Sequence, residues 1–420
     1  MSIQLLLKDT FSSLLHRDFR NFWLGQVVST VGTMIQVTAL SWYVYKISGS
    51  PFLLGLMGVF EFGPVLALSL FVGVLIERFP KKKILLFTQS LFMVQSLMLA
   101  LLVWLGSTSY WLFAALALLA GIGASIDQPT RQSYFVELVG KKDLPNAISL
   151  NSTTFNIARI IGPAIAGIIM KYVGTAECFL INGLSFIPVI YGISLIGVVG
   201  KPRARDEDSK ILSEIKSGVK YTFNNAKIYP TFIILAIVCV FSMNASVVLP
   251  VFAKDVLLGN EETYSVMMST FGLGSLLGAL FMAGIGSKLR TKNFLVLMAF
   301  TMGGAQMLTA IPVPIEHGLA FMLPLLVVIG FCNLGFLNRA NTRIQLNTDD
   351  SYRGRVMSIY VLLVTGGSPL GNLFTGWALG FFGERYGFFI NGLVSIVLVF
   401  IVFLVYRQQL HKARVVKNDK

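Results

Sequence analysis

The chain alternates between long apolar runs and short polar breaks. A bilayer core of roughly 30 Å takes about 20 apolar helical residues to cross. Runs of that kind fall over 21–45, 52–76, 84–105, 110–136, 145–170 and 176–198. They return over 229–253, 263–286, 293–313, 318–338, 354–382 and 386–406. The pattern predicts an all-α membrane protein with about twelve transmembrane helices.

The longest polar break, "GKPRARDEDSKILSEIKSGVKYTFNNAK", divides the chain in two. In its second half Ile211, Ile215, Val219 and Phe223 recur at four-residue spacing, which predicts an amphipathic surface helix. The two parts repeat each other. "GPAIAGIIMKYVGTAECFLING" (162–183) overlays "GNLFTGWALGFFGERYGFFING" (371–392) without gaps, and Phe60, Gly63 and Gly73 meet Phe271, Gly274 and Gly284. Repeats of one orientation joined by a cytoplasmic loop predict two pseudo-symmetric six-helix bundles, 21–198 and 229–406. Around them lie an amphipathic N-terminal segment (1–20), a linker (199–228) and a basic tail (407–420).

Composition agrees. The chain is 55% hydrophobic and 13% charged, with mean hydropathy +0.73, against about a quarter charged in soluble domains. The net charge of +14 has its cause in topology. With both termini cytoplasmic, every Lys and Arg except Lys46, Lys171, Lys254, Arg385 and the intramembrane Arg159 falls on the cytoplasmic side. This bias predicts a multi-pass membrane protein with both termini cytoplasmic and removes the need for a nucleic-acid partner; a bacterial plasma membrane is the expected location. The N-terminus is too charged for a signal peptide. Cys178, Cys239 and Cys332 form neither a disulfide framework nor a metal-ligand spacing. No GxxxxGK[ST], HExxH, CxxC or Gly-x-Ser-x-Gly is present, so the chain is expected to be neither an ATPase nor any other enzyme. "GLGSLLG" (272–278) lies mid-span and reads as helix packing.

Between the second and third predicted spans runs "GVLIERFPKKKIL" (73–85). A carboxylate there, Glu77, can cap the N-terminus of the helix that follows "DDSYRGR". The stretch resembles the loop signature of the major facilitator superfamily, with Gly73, Leu75, Glu77, Arg78, Lys81 and Lys82 at motif positions. Glu77 stands where aspartate is usual and Pro80 where glycine is usual. The resemblance implies a gating loop in which Lys81 pairs with Asp127 at the foot of the fourth span. Residues 127–167 are similar to the branch of that superfamily that includes macrolide-efflux proteins and the enterobactin exporter, and the likeness covers nearly the full chain. Within them "ARIIGPAIAG" is similar to the antiporter motif of fifth helices, carried by Ala158, Gly162, Pro163, Ala166 and Gly167. Small residues at four-residue spacing let helices approach, and proline frees a carbonyl. The fourth-helix arginine of drug/proton antiporters is absent, with Ala117 in its place.

Two charges lie deep in predicted spans. Glu61 is roughly 15 Å past Pro51 and Arg159 roughly 21 Å past Pro145, at 1.5 Å per residue. Charges at such depth are costly unless they pair or face water, which makes them candidates for a proton-responsive pair. In the superfamily the first, fourth, seventh and tenth spans line the cavity, which adds Gln26, Thr30, Gln36, Asn244 and Asn333 to the candidate pocket. The expected function is secondary active transport: proton-coupled efflux of a small amphiphilic compound by alternating access. No cofactor is expected beyond the proton gradient, and the chain is expected to work as a monomer in the lipid bilayer. An importer or symporter of a metabolite or lipid is the alternative, followed by a non-transporting membrane scaffold.

Overall fold

A computed structural model describes residues 11–198, 211–286, 293–349 and 351–418, with backbone alone at 69–71, 73–75, 77, 211–216, 285–286 and 408–418. Every regular element among them is helical. The first three are α1 (Arg17–Ser48), α2 (Pro51–Arg78) and α3 (Lys81–Trp104). Helical hydrogen bonding then continues over Tyr110–Tyr172, 63 residues, or roughly 95 Å. That is three times the thickness of a bilayer core. Gly140 interrupts it at φ 73°, ψ 173°, a conformation that side chains disfavour, and we denote the arms before and after it α4 and α5. The others are α6 (Thr175–Ser194), α7 (Ile211–Asn224), α8 (Tyr229–Phe241), α9 (Ala245–Val251), α10 (Glu261–Phe281), α11 (Phe294–Leu308), α12 (Ile315–Leu346), α13 (Arg353–Phe382) and α14 (Glu384–Asn418).

Ten helical stretches among the described residues are long and apolar enough to cross a membrane. Dividing the longest at Gly140 and adding the shorter apolar α11 recovers the twelve predicted segments. Two of these differ from expectation. Helix α11 has 15 residues, about 22 Å, and is carried to Ile311 only by tighter turns, Ala310 N–H to Met307 and Ile311 N–H to Leu308. The seventh span, read as continuous over 229–253, is broken between α8 and α9. At the N-terminus, the first span begins at Arg17 rather than near residue 21, behind a 3-10 turn over Ser12–Leu15; the expected amphipathic character of 1–10 lies outside the described residues. The predicted linker helix forms as α7, with Val219 and Phe223 exposed.

The chain divides into two compact units, Met1–Gly49 with Phe60–Asp206 and Asn260–Ser269, and Ser50–Val59 with Glu207–Gly259 and Thr270–Lys420. These bounds depart from a simple division at the linker in two short stretches, 50–59 and 260–269, and glycine packing accounts for both. In the first unit Gly167 of α5 lies against Ser265, near the start of α10, and Trp42 stacks on Tyr264 at 5.7 Å. In the second, Gly376 of α13 lies against Pro51, at the start of α2, and Gly55 and Gly58 lie against Asn372. A side chain at any of these glycines would collide with the neighbouring helix.

The internal repeat survives in detail. Gly174 and Gly383, paired in the sequence overlay, both have positive φ, 142° and 84°, immediately before α6 and α14. Asn182 and Asn391, also paired, are both buried polar anchors. Asn182 Nδ2 donates to Gln36 Oε1 at 2.9 Å and Asn391 Nδ2 to Thr375 Oγ1 at 2.7 Å. Within the second unit "GLGSLLG" is a packing seam. Gly274 and Gly278 lie against the carbonyls of Val327 and Phe331, and Gly330 returns the contact onto Phe271.

Candidate transport site

Glu61 sits on α2 three residues before Pro64. Proline lacks an N–H, so the carbonyl of Phe60 loses its partner one turn back, beside Glu61. Gly121 of α4 lies directly against the carbonyls of Phe60 and Glu61, leaving no room for a Cβ between the helices. The Glu61 carboxylate itself has no ion-pair or hydrogen-bond partner among the described residues. The arginine predicted to face it does not pair with it. Arg159 instead places its guanidinium 5.1 Å from the centre of the Phe155 ring, one helical turn earlier on α5. A ring four residues away is a local partner for a cation in a span, which explains how Arg159 is accommodated without a carboxylate.

The motif around Arg159 forms a seam of small residues. Ala158 and Ala166 are fully buried. Gly162 packs on Met34 of α1 and Gly167 on Ser265 of α10. Pro163 is buried between them.

The remaining pocket candidates separate into distinct settings. Gln26 donates from Nε2 to Thr30 Oγ1 at 3.1 Å, while the Thr30 hydroxyl donates to the Gln26 backbone carbonyl at 2.7 Å, so these two bonds stay within α1 and the buried Gln26 Oε1 is left without a partner among the described residues. Gln36 is the hub of a buried interhelical network. Its Nε2 donates to Gln95 Oε1 at 3.2 Å, and its Oε1 accepts from Asn182 Nδ2 and from the Ser96 hydroxyl, tying α1 to α3 and α6. Asn333 is buried on α12.

Asn244 occupies the break in the seventh span. Its Nδ2 donates to the Val240 carbonyl at 2.7 Å, replacing the backbone N–H that a continuous helix would supply. Gln306 of α11 donates to the Ser242 carbonyl at 2.9 Å, and the Ser242 and Ser395 hydroxyls bond at 2.9 Å. Two of the carbonyls freed by the break, those of Val240 and Ser242, are thus met by side chains, which lowers the cost of open backbone in a low-dielectric surrounding. Gly371 of α13 lies against Asn244 and the carbonyls of Cys239 and Val240. Ser242 and Gln306 were missed in the sequence reading. The polar run "FSMNAS" inside an apolar span was the available signal for the break.

At the gating loop the expected pair is replaced. Lys81, at the start of α3, forms its ion pair with Glu137 of α4. Asp127 is bound by Arg131, four residues on, and accepts from Thr88 Oγ1 at 2.8 Å and Gln89 Nε2 at 2.7 Å. Three donors already engage the Asp127 carboxylate, while Glu137 stands nearly three turns further along the same helix, within reach of Lys81. Arg78 is exposed; Gly73 and Glu77 are described by backbone alone, so the predicted cap by the Glu77 carboxylate lies outside what is described.

These helices match a family of known proteins along their whole length. The family described as transmembrane secretion effector, of the major facilitator superfamily, matches residues 8–419. The chain belongs to it. Among its relatives, the staphyloferrin A transporter of Staphylococcus aureus is 24% identical over 93% of this chain and 94% of its own. Macrolide efflux protein A of Streptococcus pyogenes is 19% identical over 91% and 94%. The crystal structure of the nucleoside transporter NupG superposes with TM-score 0.74 at 14% identity, over 93% of this chain and 99% of that one, a likeness of fold. The chain is therefore a multi-pass membrane transporter of the major facilitator superfamily, in a branch with efflux proteins.

Proposed function

We propose that this transporter exports a small amphiphilic compound, drug-like or siderophore-like, from the bacterial cytoplasm in exchange for protons. It works by alternating access, as a monomer with both termini cytoplasmic. The observation that carries this reading is Glu61. A carboxylate held mid-span beside a proline-freed carbonyl, with no cation to neutralise it among the described residues, is costly when ionised and is relieved by taking up a proton. Proton uptake and release there is a means of coupling the gradient to conformation. The relatives' printed names, a siderophore transporter and a macrolide efflux protein, support export of such compounds. That Glu61 has no cationic partner among the described residues supports the carboxylate as the coupling group, with Arg159 assigned to the substrate or to packing.

The test is accumulation of macrolides, dyes and siderophores in pump-deficient cells expressing the wild type, Glu61→Gln or Arg159→Gln, with and without a protonophore. Export predicts lowered accumulation that the protonophore abolishes. In vesicles of known sidedness, Glu61→Gln is expected to abolish the pH dependence of transport. Intact pH dependence in that variant overturns the coupling role. Accumulation above the control overturns export in favour of uptake.

A further inference from the structure

A cavity of about 520 Å³ opens where the described start of α11, the end of α12 and the end of the apolar part of α14 meet, wholly inside the second unit. That volume lies within the range of small-ligand sites. Three guanidinium-bearing residues line it, Arg339, Arg343 and Arg407, and no acidic residue lines it among the described residues. Arg343 and Arg407 have no carboxylate partner among the described residues. The contrast within the molecule is direct, because in the first unit Lys81 and Arg131 are both neutralised by acids.

The other walls are amphiphilic. Tyr406 and Phe403 form one side and Leu346 another. One and two turns into the membrane from Arg407, Leu404 and Phe400 are exposed at 40% and 47%, and Leu297 on α11 at 56%. The cavity therefore lies at the level where a lipid-facing apolar surface gives way to charge, with aromatic side chains at the boundary. Guanidinium groups match phosphate oxygens through paired N–H donors. A soluble anion would use the arginines and leave the apolar flank idle, whereas a lipid uses both. Basic pockets between transmembrane helices are suited to anionic headgroups.

We propose that this cavity binds the phosphate headgroup of an anionic membrane lipid, with its acyl chains along Phe400, Leu404 and Leu297. Purified full-length protein in a detergent with an uncharged headgroup is titrated with phosphatidylglycerol or phosphatidylcholine of identical chains, and retained lipid is read by native mass spectrometry. Wild type is expected to retain phosphatidylglycerol at least about 10-fold better than phosphatidylcholine. Each arginine lost weakens a surface-anion contact about 5-fold, so Arg343→Gln with Arg407→Gln lowers phosphatidylglycerol retention roughly 25-fold and leaves phosphatidylcholine unchanged. Lys171→Gln, remote in the first unit, leaves both unchanged. Equal retention of the two lipids by wild type overturns the proposal without any variant. So does an equal loss in Lys171→Gln, which would mark general charge attraction. Displacement of phosphatidylglycerol by millimolar inorganic phosphate at constant ionic strength would assign the site to a soluble anion and overturn the lipid. Should the double variant not fold, Arg407→Gln alone, on an exposed residue, is read against the same 5-fold expectation.

Discussion

Replacing Gln36 by leucine separates two roles that the sequence could not. Gln36 lies on the first span, where a cavity-lining role is expected, yet its amide is consumed by Gln95, Ser96 and Asn182. Leucine keeps the volume and deletes three interhelical hydrogen bonds. Ser96 retains the Phe179 carbonyl at 2.9 Å, so the groups left without those partners are the Asn182 amide and the Gln95 carbonyl. Interhelical hydrogen bonds in membranes average about 0.6 kcal/mol each, which puts the cost near 2 kcal/mol, or about 30-fold in the folding equilibrium. The assay is unfolding in mixed micelles titrated with sodium dodecyl sulfate, followed by tryptophan fluorescence. It is paired with transport per folded molecule under conditions where both proteins are fully folded. The expected result is a lowered unfolding midpoint with transport intact. An unchanged midpoint together with altered substrate selectivity would refute the packing argument and return Gln36 to the pocket.

Other consequences follow from the same contacts. A double-mutant cycle of Lys81→Gln with Glu137→Gln is expected to show coupling near 1 kcal/mol, and the cycle of Lys81→Gln with Asp127→Asn none. The reverse pattern would restore the Lys81–Asp127 latch. Asp127→Asn alone leaves a largely buried Arg131 unpaired and is expected to cost about 3–5 kcal/mol in the same unfolding assay. Gly121→Val forces α4 off the Glu61 carbonyl, an overpacking worth about 1–3 kcal/mol, whereas Gly304→Ala meets open space and is expected to leave stability unchanged. Equal effects at the two glycines would contradict the close α2–α4 crossing. Where the fourth and fifth spans connect, hydrogen bonds from His16 and Ser12 hold the Asp143 carboxyl below its ordinary pKa of 3.8. Its folded pKa lies below the unfolded one, so this contact stabilises docking of residues 11–16 above about pH 4 and is lost as pH falls through the folded value. The protection factor against hydrogen exchange at residues 11–16, with the intrinsic pH dependence of exchange divided out, is expected to fall on acidification below about pH 4 in the wild type and to stay level over that range in Asp143→Asn.

Much of this protein is written locally. The span pattern follows from the cost of unpaired backbone in hydrocarbon, which allows only helices or closed barrels; runs of about 20 apolar residues choose the helix, and the pattern is readable one segment at a time. The repeat is equally legible, since Gly174 and Gly383 carry the same backbone demand in each copy. The small residues at 158–167 announce a close crossing before its partners are known. What the sequence leaves open is which side chains satisfy one another. Depth along a helix placed Glu61 and Arg159 well inside spans, but pairing depends on the rotation of each helix about its axis, and that is set by packing at Gly121, Gly162 and Gly167. Asp127 and Glu137 lie on one helix ten residues apart, and only the crossing of α3 over α4 decides which of them Lys81 meets. Gln36 faces neighbouring helices because Asn182 and Gln95 arrive there. The break at Ser242–Asn244 is tolerated in part because Gln306, 64 residues later in the chain, reaches the Ser242 carbonyl. Sequence fixes where helices can be; the complementarity of their surfaces selects which polar groups remain available for transport.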